Sequence, residues 1–440
     1  MSIPLDRLYD YLENLIQEDV LIYRFFPHGS KKLDDLQPLY NTATNWIEKM
    51  THPMVFAHDQ EPLNFDHYSW KDLPAVNDVE GINHSAYSND ARNQMYHHFF
   101  DHLNIRMSVS GTWQNIYDLS ILIHSEKNSR NLELYQQKNF VGVYWWCHAV
   151  IAQDWFRYAQ YDRSLDPNFE LIQKDFLIYN RAWTGTREYR LKFVELLMDK
   201  QLLNSSKIAF SPIDNECHYK NHKFNNTAFE ISNHTFENHL PLNIADSNSS
   251  ADYVAEDYQT TAIEVVLETL FDDSRNHLTE KSLRPIACGR PFMLAATVGS
   301  LEYLRSYGFQ TFSGLIDESY DNVTDPVERL QAITDEMRRI SAMPTEQKQQ
   351  LFEKLYQIAE YNKKLFFSDE WQNSIIDEFK NNFDSALAQV KQHRNGKWLL
   401  AVREFAKSYP ELYQAHQRDL PSRTLNELHT VLSMLDSNKY

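Results

Sequence analysis

Apolar runs and segments of helical period alternate along the first two hundred residues. "VLIYRFF" (20–26) is rich in β-branched and aromatic residues and stops at "PHGS". "PMVFAHDQEPL" (53–63) is an apolar strand running into a polar loop, and "YDLSILIHSEKNS" (117–129) repeats that arrangement with a charged tip. "FVGVYWWCHAVIAQDWFRYAQY" (140–161) predicts a strand followed by an aromatic helix. "LDDLQPLYNTATNWIEKM" and "NDARNQMYHHFFDHLNI" are the helical segments between these runs. Strands alternating with helices predict parallel α/β units.

The pattern restarts at "DFLIYNRAWTGTREYRLKFVELLMDK" (175–200) as strand, glycine-containing loop and helix, after a domain change near "SLDPNFE". Residues 213–250 are rich in Asn, His and Ser and weakly periodic, which predicts an insertion or a long loop. "AIEVVLETLF" (262–271), "RPFMLAA" (290–296) and "GFQTF" (308–312) supply further short strands. Beyond 325 the chain turns helical. Asp325 is a capping carboxylate, Pro326 occupies the first helical position and Glu328 the third. Val327, Leu330, Ile333, Met337 and Ile340 share one face, and Leu351, Leu355, Ile358 and Leu365 share one face of the next helix. The expected fold class is α/β, with two Rossmann-like domains facing across a cleft and a helical C-terminal tail. The boundaries are 1–168, 169–325 and 326–440.

In open α/β sheets a ligand sits beyond the C-terminal ends of the strands, so the loop tips carry the candidate chemistry. Thr279 can cap a helix, whose free amides and dipole favour an anion, and Lys281 adds a full positive charge there. Glu280 is suited to ribose hydroxyls. The bland alternative is an ordinary helix start with a surface ion pair. Pro285 falls in the second turn, so the helix is either kinked or begins later than Thr279. Arg181, Arg187 and Arg190 lie at a strand–loop–helix junction and offer paired donors to phosphate oxygens. A surface pair with Glu188 or Glu195 is the alternative for Arg190. Asp59 and Glu61 follow an apolar strand and are candidate general bases, or else members of a solvated loop ended by Pro62. His124, Glu126 and Lys127 form a similar tip. The aromatic stretches "YWWCH" and "DWFRY" suit sugar stacking, although packing is the commoner role of such stripes.

At 440 residues the chain exceeds the length at which one core keeps growing, and 42% apolar residues suffice for packed cores. The net charge of −18 disfavours a broad electrostatic grip on nucleic acid or anionic membrane. Cys147, Cys217 and Cys288 sit far apart, in no metal-ligand spacing, and read as reduced thiols of a cytoplasmic protein. No signal peptide and no membrane span is expected. Dinucleotide-type glycine fingerprints, Walker loops, nucleophile elbows and Asp-x-Asp triplets are absent from the sequence.

The run "AIEVVLETLFDDSRNHLTEKSLRPIACGRPFM" (262–293) resembles the nucleotide-binding segment of α-1,3-fucosyltransferase-like enzymes. There a strand ending in Phe-Glu-Asn is followed by Thr-Glu-Lys, a short helix, Gly and Pro. Glu268 stands at the strand-end position, and Thr279, Glu280 and Lys281 match the triplet. Thr269 and Leu270 replace the Asn and Ser of that pattern, so the donor need not be GDP-fucose. "DQEPL" puts Glu61 where the family has its catalytic base, and Arg187 matches the arginine opening the first helix of the second domain. The chain as a whole looks like glycosyltransferase-like proteins of tailed phages, which share "DQEPL" and "YNRAWTGTREYRLKF".

The resemblance implies a GT-B glycosyltransferase with inverting chemistry and no essential metal or cofactor. Its acceptor domain comes first and its nucleotide-sugar domain second. Lys281, Arg187 and the helix start at Thr279 would hold the diphosphate, with Arg181 and Arg190 nearby. Glu280 and Glu268 would hold ribose or sugar, and Glu61, with Asp59 in reserve, would take the acceptor proton. The acceptor would be a glycan, a protein or a hydroxymethylated base in DNA. A non-catalytic nucleotide- or glycan-binding protein of the same shape is the rival reading.

Overall fold

The computed structural model describes residues 54–56, 120–124, 127–128, 140–240, 250, 252–408, 410–411 and 414. Strands β1 (Met54–Phe56), β2 (Ser120–His124) and β3 (Phe140–Tyr144) form a parallel sheet in that order. Val55 is in register with Leu122, and Leu122 with Gly142. Helix α1 (Cys147–Trp155) follows β3 directly. Three 3-10 turns, Arg157–Gln160, Arg163–Leu165 and Phe169–Leu171, then carry the chain to a second sheet.

That sheet has four parallel strands. These are β4 (Lys174–Asn180), β5 (Ser206–Phe210), β8 (Thr261–Leu267) and β9 (Phe292–Ala295), in the order β5-β4-β8-β9. The order reverses between β4 and β8. A ligand crevice in such sheets opens at that point, beyond the carboxyl ends of the strands. Helix α2 (Tyr189–Asp199) joins β4 to β5, and α4 (Glu280–Cys288) joins β8 to β9. Successive strand side chains point to opposite faces. Asn180 bonds the Arg190 carbonyl of α2 at 2.8 Å, while the Tyr179 ring lies under the Arg284 guanidinium of α4 at 4.4 Å. The two helices therefore cover opposite faces, giving an α/β layer structure.

All seven positions of β8 are buried, Glu264 included. Glu264 is tolerated there because Arg284 pairs with it at 2.5 Å and the Tyr258 hydroxyl donates to its second oxygen. Breaking such a pair strands a buried charge, at a cost of about 3–5 kcal/mol.

The segment expected as a long loop from 213 is compact as far as Leu240. It holds the hairpin β6 (Ile213–Asp214)–β7 (Cys217–His218) and three 3-10 turns, Tyr219–Asn221, Thr227–Phe229 and Phe236–Asn238. Two carboxylates of the α2 region organise it. Glu188 accepts the backbone N–H groups of Asn225 and Asn226, and Glu195 accepts those of Ser232 and Asn233. Polar, aperiodic sequence folds here because its backbone donors find carboxylates instead of a ladder.

Residues 308–312 are not a strand, contrary to the sequence expectation. Phe309 and Phe312 are buried, but side chains satisfy the backbone between them. Asn362 bonds both the N–H and the carbonyl of Gln310, and Glu318 accepts the N–H of Phe312. Strand β5 was not anticipated. "SKIAF" is short, and its burial comes from its place beside β4.

The remaining helices are α3 (Ala255–Gln259), α5 (Ser300–Ser306), α6 (Pro326–Ser341), α7 (Thr345–Phe366) and α8 (Asp369–Ser408). Asp325 caps α6 with 2.9 and 2.8 Å bonds to the N–H groups of Val327 and Glu328. Helix α7 packs on α4, and α8 returns to β3 and β2. Trp145 of the β3 tip donates to the Ile375 carbonyl of α8 at 3.2 Å.

Candidate functional site

The Glu268 carboxylate builds the start of α4. One oxygen accepts the Thr279 N–H at 2.9 Å, the Ser282 N–H at 3.2 Å and the Ser282 hydroxyl at 2.5 Å. The other accepts the Thr269 N–H at 3.0 Å and the Thr279 hydroxyl at 2.8 Å. The residue is 0% exposed, and both oxygens are spent within the protein. Its place at the end of β8 is the one implied by the resemblance. These bonds make it the organiser of the Thr-Glu-Lys turn.

Helix α4 begins at Glu280, with Thr279 as its cap. Pro285 lies inside the helix and does not delay its start, although a helix interior loses about 3 kcal/mol to a proline. The helix ends at Gly289, whose positive φ of 66° provides the left-handed closing residue. Lys281 is folded back over this start. Its ammonium donates to Glu280 at 2.7 Å and to the hydroxyls of Thr279 and Thr269 at 3.3 and 3.4 Å. Glu280 is buried, and its other oxygen lies 3.8 Å from Nδ1 of His148 in α1. The ion pair of the bland reading therefore exists, but its carboxylate is inside the protein.

The three arginines divide sharply. Arg190 is buried and donates to the carbonyls of Ala182 at 2.6 Å, Leu267 at 2.6 Å and Glu268 at 3.0 Å. It ties the ends of β4 and β8 together and pairs with neither Glu188 nor Glu195. Arg181 lies 4.3 Å from the Tyr179 ring centre, and Arg284 lies 4.4 Å from the same ring. Burial, and then the nearby Arg284 charge, push its pKa down. Arg187 is half-buried and closes the 3-10 turn Gly185–Arg187. Its Nε donates to the Thr184 carbonyl at 3.3 Å, and among the described residues it forms no ion pair. Burial and the neighbouring Arg190 lower its pKa, while Asp214 and Glu280 lie within electrostatic reach and oppose that shift.

The first sheet meets this cluster through the loop between β8 and α4. The Lys127 and Asn276 backbones exchange two 2.9 Å hydrogen bonds, and Trp146 donates to the Leu278 carbonyl at 2.7 Å. His148 and His277 meet edge to face at 5.0 Å. Trp145 and Trp146 are fully buried, so they pack the junction and are not available to stack on a sugar. Lys127 lies 5.1 Å from the Tyr303 ring centre. His124 ends β2. Asp59, Glu61 and Glu126 lie outside the described residues.

The cluster thus brings Lys281, the capped start of α4 and Arg187 to the carboxyl edge of the sheet, where strand order reverses. In it, Arg190 and Glu268 are engaged with backbone and side-chain groups of the protein itself. The sequence reading missed Asp214, His148 and His277. Asp214 sits in the weakly periodic segment, where only its place beside a tight Asn-Glu turn marks it. A cavity of about 650 Å³ opens elsewhere, lined by Arg305, Asp317, Glu318, Asp321 and Arg339 among others. None of the α4 cluster borders it.

Among the described residues no group of three or more His, Cys, Asp or Glu is placed to hold a metal ion. Among the same residues no helix is long and apolar enough to cross a membrane. Comparison with known proteins returns no matching family model, no matching curated protein and no matching solved structure.

Proposed function

We propose that the protein is an inverting glycosyltransferase that moves a sugar from a nucleoside-diphosphate sugar to a hydroxyl acceptor, with two Rossmann-like halves in a GT-B arrangement. The observation that carries this reading is that Arg187, on the loop after β4, lies within electrostatic reach of Glu280, the first residue of α4 and the ion-pair partner of Lys281, beside the strand-order reversal. Amides at a helix start and two cations are what a diphosphate requires. Lys281 and Arg187 bind the two phosphates and take up the charge that develops as the sugar leaves. Glu280 contributes to ribose recognition once a phosphate replaces it on Lys281. Glu268, Thr279 and Arg190 keep this turn in shape, and Arg181 lies at its margin.

In the reaction the acceptor oxygen attacks the anomeric carbon from the face opposite the phosphate. The bond from that carbon to the phosphate oxygen breaks, and the nucleoside diphosphate leaves with the electron pair. The acceptor proton passes to the Glu61 carboxylate, with Asp59 as the alternative base. The acceptor is a glycan or a protein. A hydroxymethylated DNA base is a second acceptor class, which the charge of −18 disfavours. The rival, a non-catalytic nucleotide-binding protein, is favoured by one observation, the existing neutralisation of Lys281 by Glu280.

Enzymes of this chemistry hydrolyse their donor slowly when no acceptor is present. Release of nucleoside diphosphate from a panel of donor sugars, with the sugar anomer followed by NMR, tests the proposal. Turnover with inversion, lost in Glu61→Gln and Asp59→Asn together, supports transfer. Donor binding without turnover supports the rival.

A further inference from the structure

The loop that carries Arg187 is not held by its own strand and helix alone. One oxygen of Asp214 accepts three bonds of 2.7 Å, from the Trp183 N–H, the Thr184 N–H and the Thr184 hydroxyl. Asn215 adds a 3.2 Å bond to the same hydroxyl. Thr184 in turn offers its carbonyl to Arg187. The Trp183 indole donates to the Ser211 carbonyl at 2.9 Å, and Ser211 N–H donates to the Asn180 carbonyl at 3.2 Å. The loop after β4 is thereby bracketed by residues 211–215.

Asp214 is itself rigidly placed. It pairs with Cys217 across a two-residue turn. The central residues, Asn215 and Glu216, have φ of 46° and 60°. Positive φ at both central positions suits a tight hairpin, and asparagine tolerates it well. Asp214 is half-buried, and its ionised state prevails over the cost of that burial because the Thr184 and Trp183 donors and the Arg187 charge hold its pKa down. A carboxylate in that state, bonded to Thr184 just before the turn Gly185–Arg187, fixes the turn without binding Arg187 directly.

We propose that Asp214 is a positioning residue, which holds Thr184 by its N–H and hydroxyl and, through the Thr184 carbonyl, aims the Arg187 guanidinium at the start of α4. The segment from Ile213 to Leu240 is then the support of the arginine loop and not a decoration of the sheet. Holding the loop in advance lowers the ordering cost of binding an anion. The inference rests on the diphosphate reading only for the use to which Arg187 is put.

The test has two arms, run on the full chain as wild type, Asp214→Ala, Asp214→Asn, Arg187→Ala and the Asp214→Ala/Arg187→Ala double variant. In the first, phenylglyoxal modification is mapped by mass spectrometry at each arginine. Asp214→Ala is expected to speed reaction at residue 187 about fivefold with Arg190 and Arg329 unchanged, and Asp214→Asn, which keeps an acceptor, to lie between. Unchanged reactivity at 187, or an equal rise at the buried Arg190, overturns the proposal. In the second arm, inorganic pyrophosphate is titrated. Each single alanine variant is expected to weaken binding about tenfold, and the double variant no further, because the two residues act as one unit. Additive losses overturn the positioning role. Wild-type protein that ignores pyrophosphate overturns the diphosphate reading instead, and the reactivity arm still decides the place of Asp214. Asp214→Asn serves both arms if Asp214→Ala does not fold.

Discussion

The carboxylate of Glu268 accepts both the backbone N–H and the hydroxyl of Thr279, at 2.9 and 2.8 Å, across eleven residues of chain. Thr279 in turn caps α4 through its hydroxyl, which accepts the Lys281 N–H at 3.3 Å. A strand end and a helix start are thus joined by one buried anion. That anion satisfies backbone groups that a helix start otherwise leaves without partners.

Glu268→Ala should therefore act on the fold first. It leaves the Thr279, Ser282 and Thr269 N–H groups buried without their acceptor, a loss of about 3–5 kcal/mol. Glu268→Gln keeps the shape but turns an amide donor towards donors, and should cost somewhat less. Denaturant unfolding of the two variants against wild type measures both. A loss within about 0.5 kcal/mol, the range of an ordinary surface change, would show that the carboxylate does not hold the turn.

Arg187 and Arg190, three residues apart, should separate binding from stability. Arg190→Ala uncovers the carbonyls of Ala182, Leu267 and Glu268 and should destabilise by about 2–4 kcal/mol. Arg187→Ala removes one 3.3 Å bond and should change stability by less than about 1 kcal/mol. Its effect should fall on nucleoside-diphosphate affinity, by about tenfold. Melting curves and binding titrations of both variants check this. Equal destabilisation by the two would make Arg187 structural.

Asp321 gives the fold a pH dependence of definite sign. Burial is the main cause that pushes its pKa from 3.8 up to about 6, against the Leu301 N–H and the Arg305 charge. A folded value above the unfolded one means that the native state holds the proton more tightly. Its stabilising contribution is present below pH 4 and is lost as pH rises through about 6. The loss amounts to about 3 kcal/mol between those limits. Asp321→Asn cannot ionise and keeps an acceptor for Leu301. The stability of wild type minus that of Asp321→Asn should fall across pH 4–6 and stay flat above pH 7. Urea unfolding at several pH values checks this, and a flat difference throughout contradicts it.

Strands β4, β8 and β9 were legible in the sequence because their burial on both faces produces continuous apolar runs. Helix α6 was legible because Asp325, Pro326 and Glu328 mark its start independently of packing. The turn at Thr279 was legible for the same local reason. What escaped depends on partners distant in sequence. "GFQTF" has the composition of a strand, but Asn362 and Glu318 take its backbone bonds. For Arg190 the sequence suggested a surface pair with Glu188 or Glu195, and only the fold shows the carbonyls that converge on it instead. The hydrogen-bond partners of Glu268 were not legible either. Nothing local shows that Ser282 and Thr279 would fill its oxygens. Asp214 was invisible because its importance lies in a loop thirty residues earlier.

The most direct measurement is calorimetric titration of UDP, GDP, ADP, dTDP and CMP into wild type, Lys281→Gln and Arg187→Ala, in buffer containing EDTA. Lys281→Gln keeps a donor for Glu280, so the fold is retained while the charge is removed. One nucleoside diphosphate should bind wild type at micromolar concentration, about tenfold or more weaker in each variant. If no nucleotide binds wild type below about 1 mM, or if the bound one holds equally well to both variants, then the start of α4 is not a diphosphate site.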